Sequence, residues 1–289
     1  MVIDELLKFG VEMLKDKDFS NPQLESRLFL SKLLEIDISY LYAHGDEEIS
    51  ENIVGEFKDL IGKRACGYPF QYLLKEKEFM GLDFYIEEGV LIPRPDTEIL
   101  VEYILNYIST NYNEQNIRVL DLGSGSGAIS LSIAHYAPNA FVYGVDIDDI
   151  PLKVANINKE KFKLTNVEFL KGNMFEPFYN KDDRFQIIVS NPPYIPSLDI
   201  EKLQIEVRDY EPRLALDGGQ DGLEFYRKIT KQAKDYLVED GLLVLEIGYN
   251  QGLDVELLLR NNNLCNIEIL KDFQGLDRVV LGRCKKGAI

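Results

Sequence analysis

The segment Val119-Leu120-Asp121-Leu122-Gly123-Ser124-Gly125-Ser126-Gly127 constrains the fold more than any other part of the 289-residue chain. An apolar run enters three glycines at alternate positions and continues into a second apolar stretch, which reads as buried strand, tight turn and helix. In an open parallel sheet such a turn lies at the carboxyl end of its strand, where ligands bind. The downstream pattern fits that sheet. Strands are predicted at 118–122, 141–145, 167–171, 185–190 and 242–247, with a closing pair at 267–270 and 278–281. Helices are predicted between them at 128–137, 152–162 and 223–237, with one more before the closing pair. The fold class is therefore α/β, a mainly parallel sheet covered on both faces.

The first part of the chain has a different period. Ile3, Leu6, Leu7, Gly10, Val11 and Leu14 recur at helical spacing, and Asn21-Pro22 opens a second helix carrying Leu24, Leu28 and Leu33. A third helix from Ser50 aligns Val54, Phe57, Leu60 and Ile61. Period-two alternation over 79–86, followed by Glu87-Glu88-Gly89 and Val90-Leu91-Ile92, suggests a hairpin. The expected organisation is a small helical N-terminal domain at 1–75, a linking hairpin at 76–90 and an α/β domain at 91–289.

Charge and cysteine usage narrow the function classes. A formal net charge of -17 opposes stable nucleic-acid binding, and the basic pairs Lys63-Arg64, Arg227-Lys228 and Lys285-Lys286 are scattered. Cys66, Cys265 and Cys284 form no C-x-x-C pair, so neither zinc nor a disulfide framework is expected. Asp4 and Glu5 stand where a signal peptide would carry base, and no apolar run approaches the ~18 residues of a membrane span. The expectation is a cytoplasmic protein with no membrane association.

The glycine spacing is G-x-G-x-G, not the G-x-G-x-x-G of dinucleotide folds, which favours S-adenosylmethionine over NAD. Taken alone, the turn could equally be a plain strand-to-helix connection. Asp146, however, ends the next strand 19 residues after Gly127 (146 − 127), near the roughly 20-residue offset of a ribose-binding carboxylate. The expected cofactor contacts are Gly123, Ser124, Gly125, Ser126, Gly127 and Asp146, with Asp121 near the methionine portion.

Strand 185–190 ends in Asn191-Pro192-Pro193-Tyr194. Two prolines cannot continue a ladder, so the backbone leaves the sheet beside the cofactor crevice. A planar NH2 group is a poor nucleophile whose lone pair is delocalised, so alignment must replace basicity. The Asn191 side-chain carbonyl and the Pro192 backbone carbonyl can each accept one N–H of such a group. The Tyr194 ring face would favour the positive charge that grows on nitrogen. No metal and no covalent intermediate is expected, and His44 and His135 are too isolated to form a catalytic base. The plainer alternative is a proline-rich turn leaving a strand.

Asn-Pro-Pro-Tyr after such a strand resembles methyltransferases that modify planar NH2 groups, both adenine and protein glutamine. Leu91-Ile92-Pro93-Arg94-Pro95-Asp96-Thr97-Glu98, residues 211–219 (Glu-Pro-Arg-Leu-Ala-Leu-Asp-Gly-Gly), Leu245-Glu246-Ile247-Gly248 and Asp277-Arg278-Val279-Val280 resemble the peptide chain release factor glutamine methyltransferase family (HemK/PrmC). That resemblance implies a class I, Rossmann-like S-adenosylmethionine-dependent fold. It also implies an enzyme that methylates the glutamine of the release factor Gly-Gly-Gln motif. By position it implies cofactor contacts at Gly123 to Gly127, Asp146, Asn173, Met174 and Asn191, and a glutamine held by Asn191, Pro192, Pro193 and Tyr194. The chain departs from the family at Gly172-Asn173-Met174, where an acidic residue is usual. Its own Gly218-Gly219-Gln220 matches the substrate by letters, but the family pattern explains it as a turn. The alternatives are the same chemistry on a ribosomal-protein glutamine, adenine methylation in nucleic acid, and a cofactor-binding interaction protein without catalysis.

Overall fold

A computed structural model describes residues 1–112, 115–179 and 182–284, so the Lys285-Lys286 pair lies outside the described residues. The chain divides into two compact units, Met1–Glu76 with Leu203–Tyr210, and Lys77–Lys202 with Glu211–Ile289. No local pattern groups residues 203–210 with the N-terminal helices, or most of the hairpin with the sheet.

The first unit holds α1 (Ile3–Leu14), α2 (Pro22–Leu34), α3 (Ile38–Ala43), α4 (Glu51–Ala65) and α5 (Phe70–Leu74). Asn21 caps α2 by accepting from the Leu24 N–H at 3.3 Å, while Glu25 Oε1 accepts from Asn21 N–H at 3.0 Å. Ile3, Leu6, Leu14, Phe29, Leu30, Phe57 and Ile61 form its core. Helix α2 turns Ser26, Phe29 and Leu30 inward, whereas Leu24, expected on that face, is exposed in the capped first turn. Arg64 is buried among acceptors. It pairs with Glu25 at 2.6 Å and Glu206 at 2.8 Å, and donates to the carbonyls of Phe19 at 2.7 Å and Tyr68 at 3.2 Å.

The second unit opens with β1 (Glu76–Phe79) and β2 (Leu82–Tyr85). This corrects the expected hairpin: the turn is Met80-Gly81, and 90–92 is not a strand. Both turn residues have positive φ, 52° and 71°, the arrangement of a two-residue turn whose twist matches its strands. Then follow α6 (Thr97–Asn111), β3 (Ile117–Leu122), α7 (Ala128–Tyr136), β4 (Ala140–Asp146), α8 (Asp149–Phe162), β5 (Val167–Lys171) and β6 (Phe185–Ser190). The short α9 (Ile205–Tyr210) belongs to the first unit, and α10 (Glu224–Ala233), β7 (Leu237–Glu246), α11 (Gly252–Asn261), β8 (Leu264–Lys271) and β9 (Asp277–Cys284) complete the second.

The sheet order is β5-β4-β3-β6-β7-β9-β8, parallel except that β9 runs antiparallel to both neighbours. Strands β3, β6 and most of β7 are buried on both faces, as a helix-covered parallel sheet requires. From β3 the chain builds outward through β4 and β5, then returns to place β6 on the other side of β3. The crevice outside the carboxyl ends of β3 and β6 is thus the topological switch point. No described helix is long and apolar enough to cross a membrane.

Candidate active site

Strand register brings the functional segments to one level. Leu122 pairs with Val145 on one side and Ser190 on the other, and Ser190 pairs with Leu245. The residues that follow, Gly123, Asp146, Asn191 and Glu246, therefore emerge side by side.

The glycine turn is held by its neighbour strand. Gly123 and Ser124 N–H donate to the Val145 carbonyl at 2.8 and 3.0 Å, and Gly125 N–H donates to Asp146 Oδ2 at 2.8 Å. Gly123 and Gly125 have φ of 75° and 55°, and a Cβ on either would meet nothing within 4 Å. That open space belongs to a cavity of about 420 Å³, a size suited to a small ligand. Its wall includes Gly123 to Ser126, Asp146, Asn173, Met174 and Asn191 to Pro193. Burial raises the pKa of the Asp146 carboxyl, opposed by the N–H groups of Gly125 and Asp148.

Three expected residues lie outside that wall. Gly127 has φ 82°, and a Cβ there would meet Leu131 at 2.9 Å and Phe169 at 3.0 Å, so this glycine lets α7 approach the sheet and does not face the cavity. Asp121 is fully buried behind the turn, accepting from Ser130 Oγ at 2.6 Å, because side chains alternate along β3. Burial pushes its carboxyl up to about 7, and the Ser130 hydrogen bond opposes the rise. Tyr194, expected beside the acceptor, is not part of the wall and packs against the core near Tyr226 and Ile247. Burial pushes its phenol up to about 12, so it stays neutral at physiological pH.

The Asn191 side chain is anchored by a residue whose contact the sequence did not reveal. Its Nδ2 donates to Thr97 Oγ1 at 3.2 Å. Burial pushes the neighbouring Glu246 carboxyl up to about 7, while the nearby polar side chain of Thr97 and the Arg278 charge oppose the rise. Glu211, also buried, accepts from Ile92 N–H at 3.3 Å and pairs with Arg94 on the cavity wall. Thr97, Arg94, Glu211, Glu246 and Arg278 all fall in the motifs that carried the family resemblance. Asn158 does not: it is fully buried and donates to the Ser126 carbonyl at 3.1 Å, tying α8 to the glycine turn.

Gly218 packs under the loop Asn191 to Tyr194. A Cβ there would meet Tyr194 Cα at 2.8 Å and the Pro193 carbonyl at 2.9 Å, and Gly218 N–H donates to Ile195 O at 2.8 Å. Gln220 is exposed and outside the cavity wall. Gly218-Gly219-Gln220 thus serves as a turn beneath Asn191 to Tyr194.

Comparison with known proteins agrees with this geometry. Residues 113–251 match a family model described as a methyltransferase domain, and residues 5–74 match one described as the PrmC N-terminal domain. The chain is 42% identical over 282 residues to a release factor glutamine methyltransferase of Clostridium acetobutylicum, covering 97% of this chain and 98% of that one. It is 41% identical to a protein of the same name from Geobacter sulfurreducens, covering 97% and 96%. A methyltransferase structure from Pyrococcus furiosus shares the fold, with a TM-score of 0.52 at 18% identity over 72% of this chain and 91% of that one. With relatives this similar along almost its whole length, the chain belongs to the release factor glutamine methyltransferase family.

Proposed function

We propose that the protein methylates the side-chain amide of the glutamine in the Gly-Gly-Gln motif of peptide chain release factors, with S-adenosylmethionine as methyl donor. The observation that carries the reading is the Asn191 carboxamide on the cavity wall, its nitrogen anchored to Thr97 and its oxygen left for a ligand N–H.

The residues present fit the cofactor. The Cβ-sized space at Gly123 and Gly125 lets a ligand lie against bare backbone, and Asp146 stands at the ribose position. Met174 and Ile147 supply apolar contact for a purine, with Asn173 beside them. Bound there, S-adenosylmethionine would supply an electrophilic carbon: an N–C bond would form as the C–S bond broke with its electron pair going to sulfur, and the amide nitrogen would release one proton to solvent. Asn191 Oδ1 and the Pro192 carbonyl orient the NH2, and both gain strength as nitrogen becomes positive.

Asp146→Ala should weaken S-adenosylmethionine binding by about 10- to 100-fold, the value of hydrogen bonds to a charged acceptor, with loosening of the Gly125 turn contributing. Calorimetric titration checks this, and an unchanged Kd would remove Asp146 from the site.

The names of the relatives and the PrmC N-terminal match favour a release factor over a ribosomal protein. The net charge of -17 argues against a nucleic-acid acceptor. Such work belongs in the cytoplasm, and the helical domain would help to hold the protein substrate. Labelled cofactor offered in parallel to a purified release factor, ribosomal proteins and DNA should label the release factor, on its Gly-Gly-Gln glutamine. Label confined to a ribosomal protein or to DNA would overturn the assignment.

A further inference from the structure

Two successive prolines remove two backbone donors from the segment Asn191 to Tyr194, so it must be tied to the fold through its carbonyls and the N–H groups that flank it. Its far end is caught in three places. Gln251 Nε2 donates to the Tyr194 carbonyl at 3.0 Å, Ile195 N–H donates to the Leu216 carbonyl at 3.0 Å, and the Ile195 carbonyl accepts from Gly218 N–H at 2.8 Å. Of these three ties, only that of Gln251, the N-cap residue of α11, is made by a side chain.

Gln251 is 6% exposed, and its carboxamide is engaged at both ends. Besides the Tyr194 carbonyl, Nε2 donates to the Gly222 carbonyl at 3.2 Å, while Oε1 accepts from Gly248 N–H at 3.0 Å. The flipped amide would set oxygen against two carbonyls, so these partners fix which end is oxygen. A buried network satisfied in this way specifies one arrangement. The fit at Gly222 is close: a Cβ there would lie 2.8 Å from Nε2 and press on the Tyr194 carbonyl.

Gln251 is not part of the cavity wall, whereas Asn191, Pro192 and Pro193 are. The link between them is mechanical. Proline locks φ, and a residue that precedes proline is kept extended, so Asn191-Pro192-Pro193 moves as a stiff unit. The pairing of Ser190 with Leu245 holds its near end, and Gln251 holds its far end. A shift at Tyr194 is therefore carried back to the Pro192 carbonyl.

We propose that Gln251 is a positioning residue that aims the Pro192 carbonyl at the acceptor nitrogen by holding the Tyr194 end of the proline segment. The inference rests on the amide-methylation reading above and adds to it the group that sets the acceptor's alignment. Gln251→Leu should lower kcat on a release factor about 10- to 100-fold, the scale of a small misalignment, with S-adenosylmethionine affinity little changed.

Gln251→Glu gives a readout that lost packing alone would not move. An ionised carboxylate would face two carbonyls with no proton to give, whereas a protonated one could donate to one of them. Burial and those carbonyls disfavour the charged form and raise the pKa of the introduced carboxyl. Relative to the parent at each pH, turnover of Gln251→Glu should be highest at low pH and fall as the carboxyl ionises. Around position 251, Tyr226 from α10, whose hydroxyl lies 3.4 Å from Oε1, and Tyr194 after β6 are held neutral by burial. Asp277 of β9, beside Gly252, pairs with Lys271. Asp121 and Glu246, which titrate near neutrality, are common to both proteins and cancel in the ratio.

Hydrogen exchange at the Ile195 and Gly218 N–H groups needs no turnover: it should be slow in the parent and quicken in Gln251→Leu. Full kcat in Gln251→Leu, a loss of cofactor affinity equal to the loss of kcat, or unchanged exchange at Ile195 overturns the role. So does a Gln251→Glu ratio that does not fall with rising pH, and that ratio decides alone if Gln251→Leu does not fold. A parent enzyme that methylates no release factor overturns the acceptor assignment instead, and exchange at Ile195 still decides whether Gln251 holds the loop.

Discussion

Asn191→Ala should lower kcat on a release factor by about 100- to 1000-fold while leaving the fold and most S-adenosylmethionine affinity in place, the loss typical of removing one preorganised group at a reacting centre. The reason lies in the acceptor. A carboxamide nitrogen has its lone pair in the amide π-system, and its protons are too weakly acidic for the carboxylates or phenols nearby to remove first. The site must hold the nitrogen in line with the methyl carbon and favour the charge it acquires. In the proposed arrangement the Asn191 oxygen does both, and Pro192 alone fixes only one N–H. The loss should fall on kcat more than KM, because the missing hydrogen bond strengthens as charge develops. Rapid-quench single-turnover rates would test this directly. Retained full turnover would remove Asn191 from the chemistry, and a matching loss of cofactor affinity would reassign it to the cofactor.

The site was legible where a local backbone requirement was written in one stretch of chain. The glycine turn needs positive φ at Gly123 and Gly125, where an added Cβ would stand in open space, so its spacing announced the cavity. Two prolines after an apolar strand announced the exit at Asn191. Side-chain direction was not legible. Asp121 stands one residue before the end of β3 and Asp146 ends β4, but one points behind the turn and one into the cavity, and the letters alone do not give that alternation its phase. Tyr194 lies one residue beyond the wall, past a two-proline kink whose outgoing direction depends on Gly218 and on Gln251, whose Nε2 donates to the Tyr194 carbonyl at 3.0 Å. The contact of Thr97 with Asn191 was invisible because Thr97 opens α6 and Asn191 follows β6, and only the tertiary fold brings them together. The helix α6 itself was missed although Leu100, Val101, Ile104 and Ile108 carry its spacing. Residues 203–210 are short and polar, so their grouping with the N-terminal helices rests on long-range pairing that no local pattern encodes.

Arg64 ties that segment to the helices. Arg64→Ala should destabilise the helical unit by about 3–5 kcal/mol, the cost of removing one partner from a buried ion cluster. Arg64 is 1% exposed, and its five N–H donors meet Glu25 twice, Glu206, and the carbonyls of Phe19 and Tyr68. Alanine would strand Glu25, 6% exposed, as a buried charge and leave two carbonyls unsatisfied. Set against a typical domain stability of about 5–15 kcal/mol, the loss is large enough to melt the unit at a markedly lower denaturant concentration. Hydrogen exchange should therefore quicken at 203–210 together with α2 and α4, because Glu206 is tied to both helices through the same guanidinium. Tyr210 would lose support as well, since its ring packs on Tyr68 at 5.0 Å and its hydroxyl reaches the Cys66 carbonyl at 3.3 Å. A combined Arg64→Met, Glu25→Leu and Glu206→Gln variant separates charge from packing: it should regain most of the lost stability, because the cost lies in orphaned charge and not in absent volume. If Arg64→Ala shifts the urea midpoint of the helical unit by less than the equivalent of about 1 kcal/mol, the cluster behaves like an exposed ion pair and the 203–210 segment is held by its tyrosines instead.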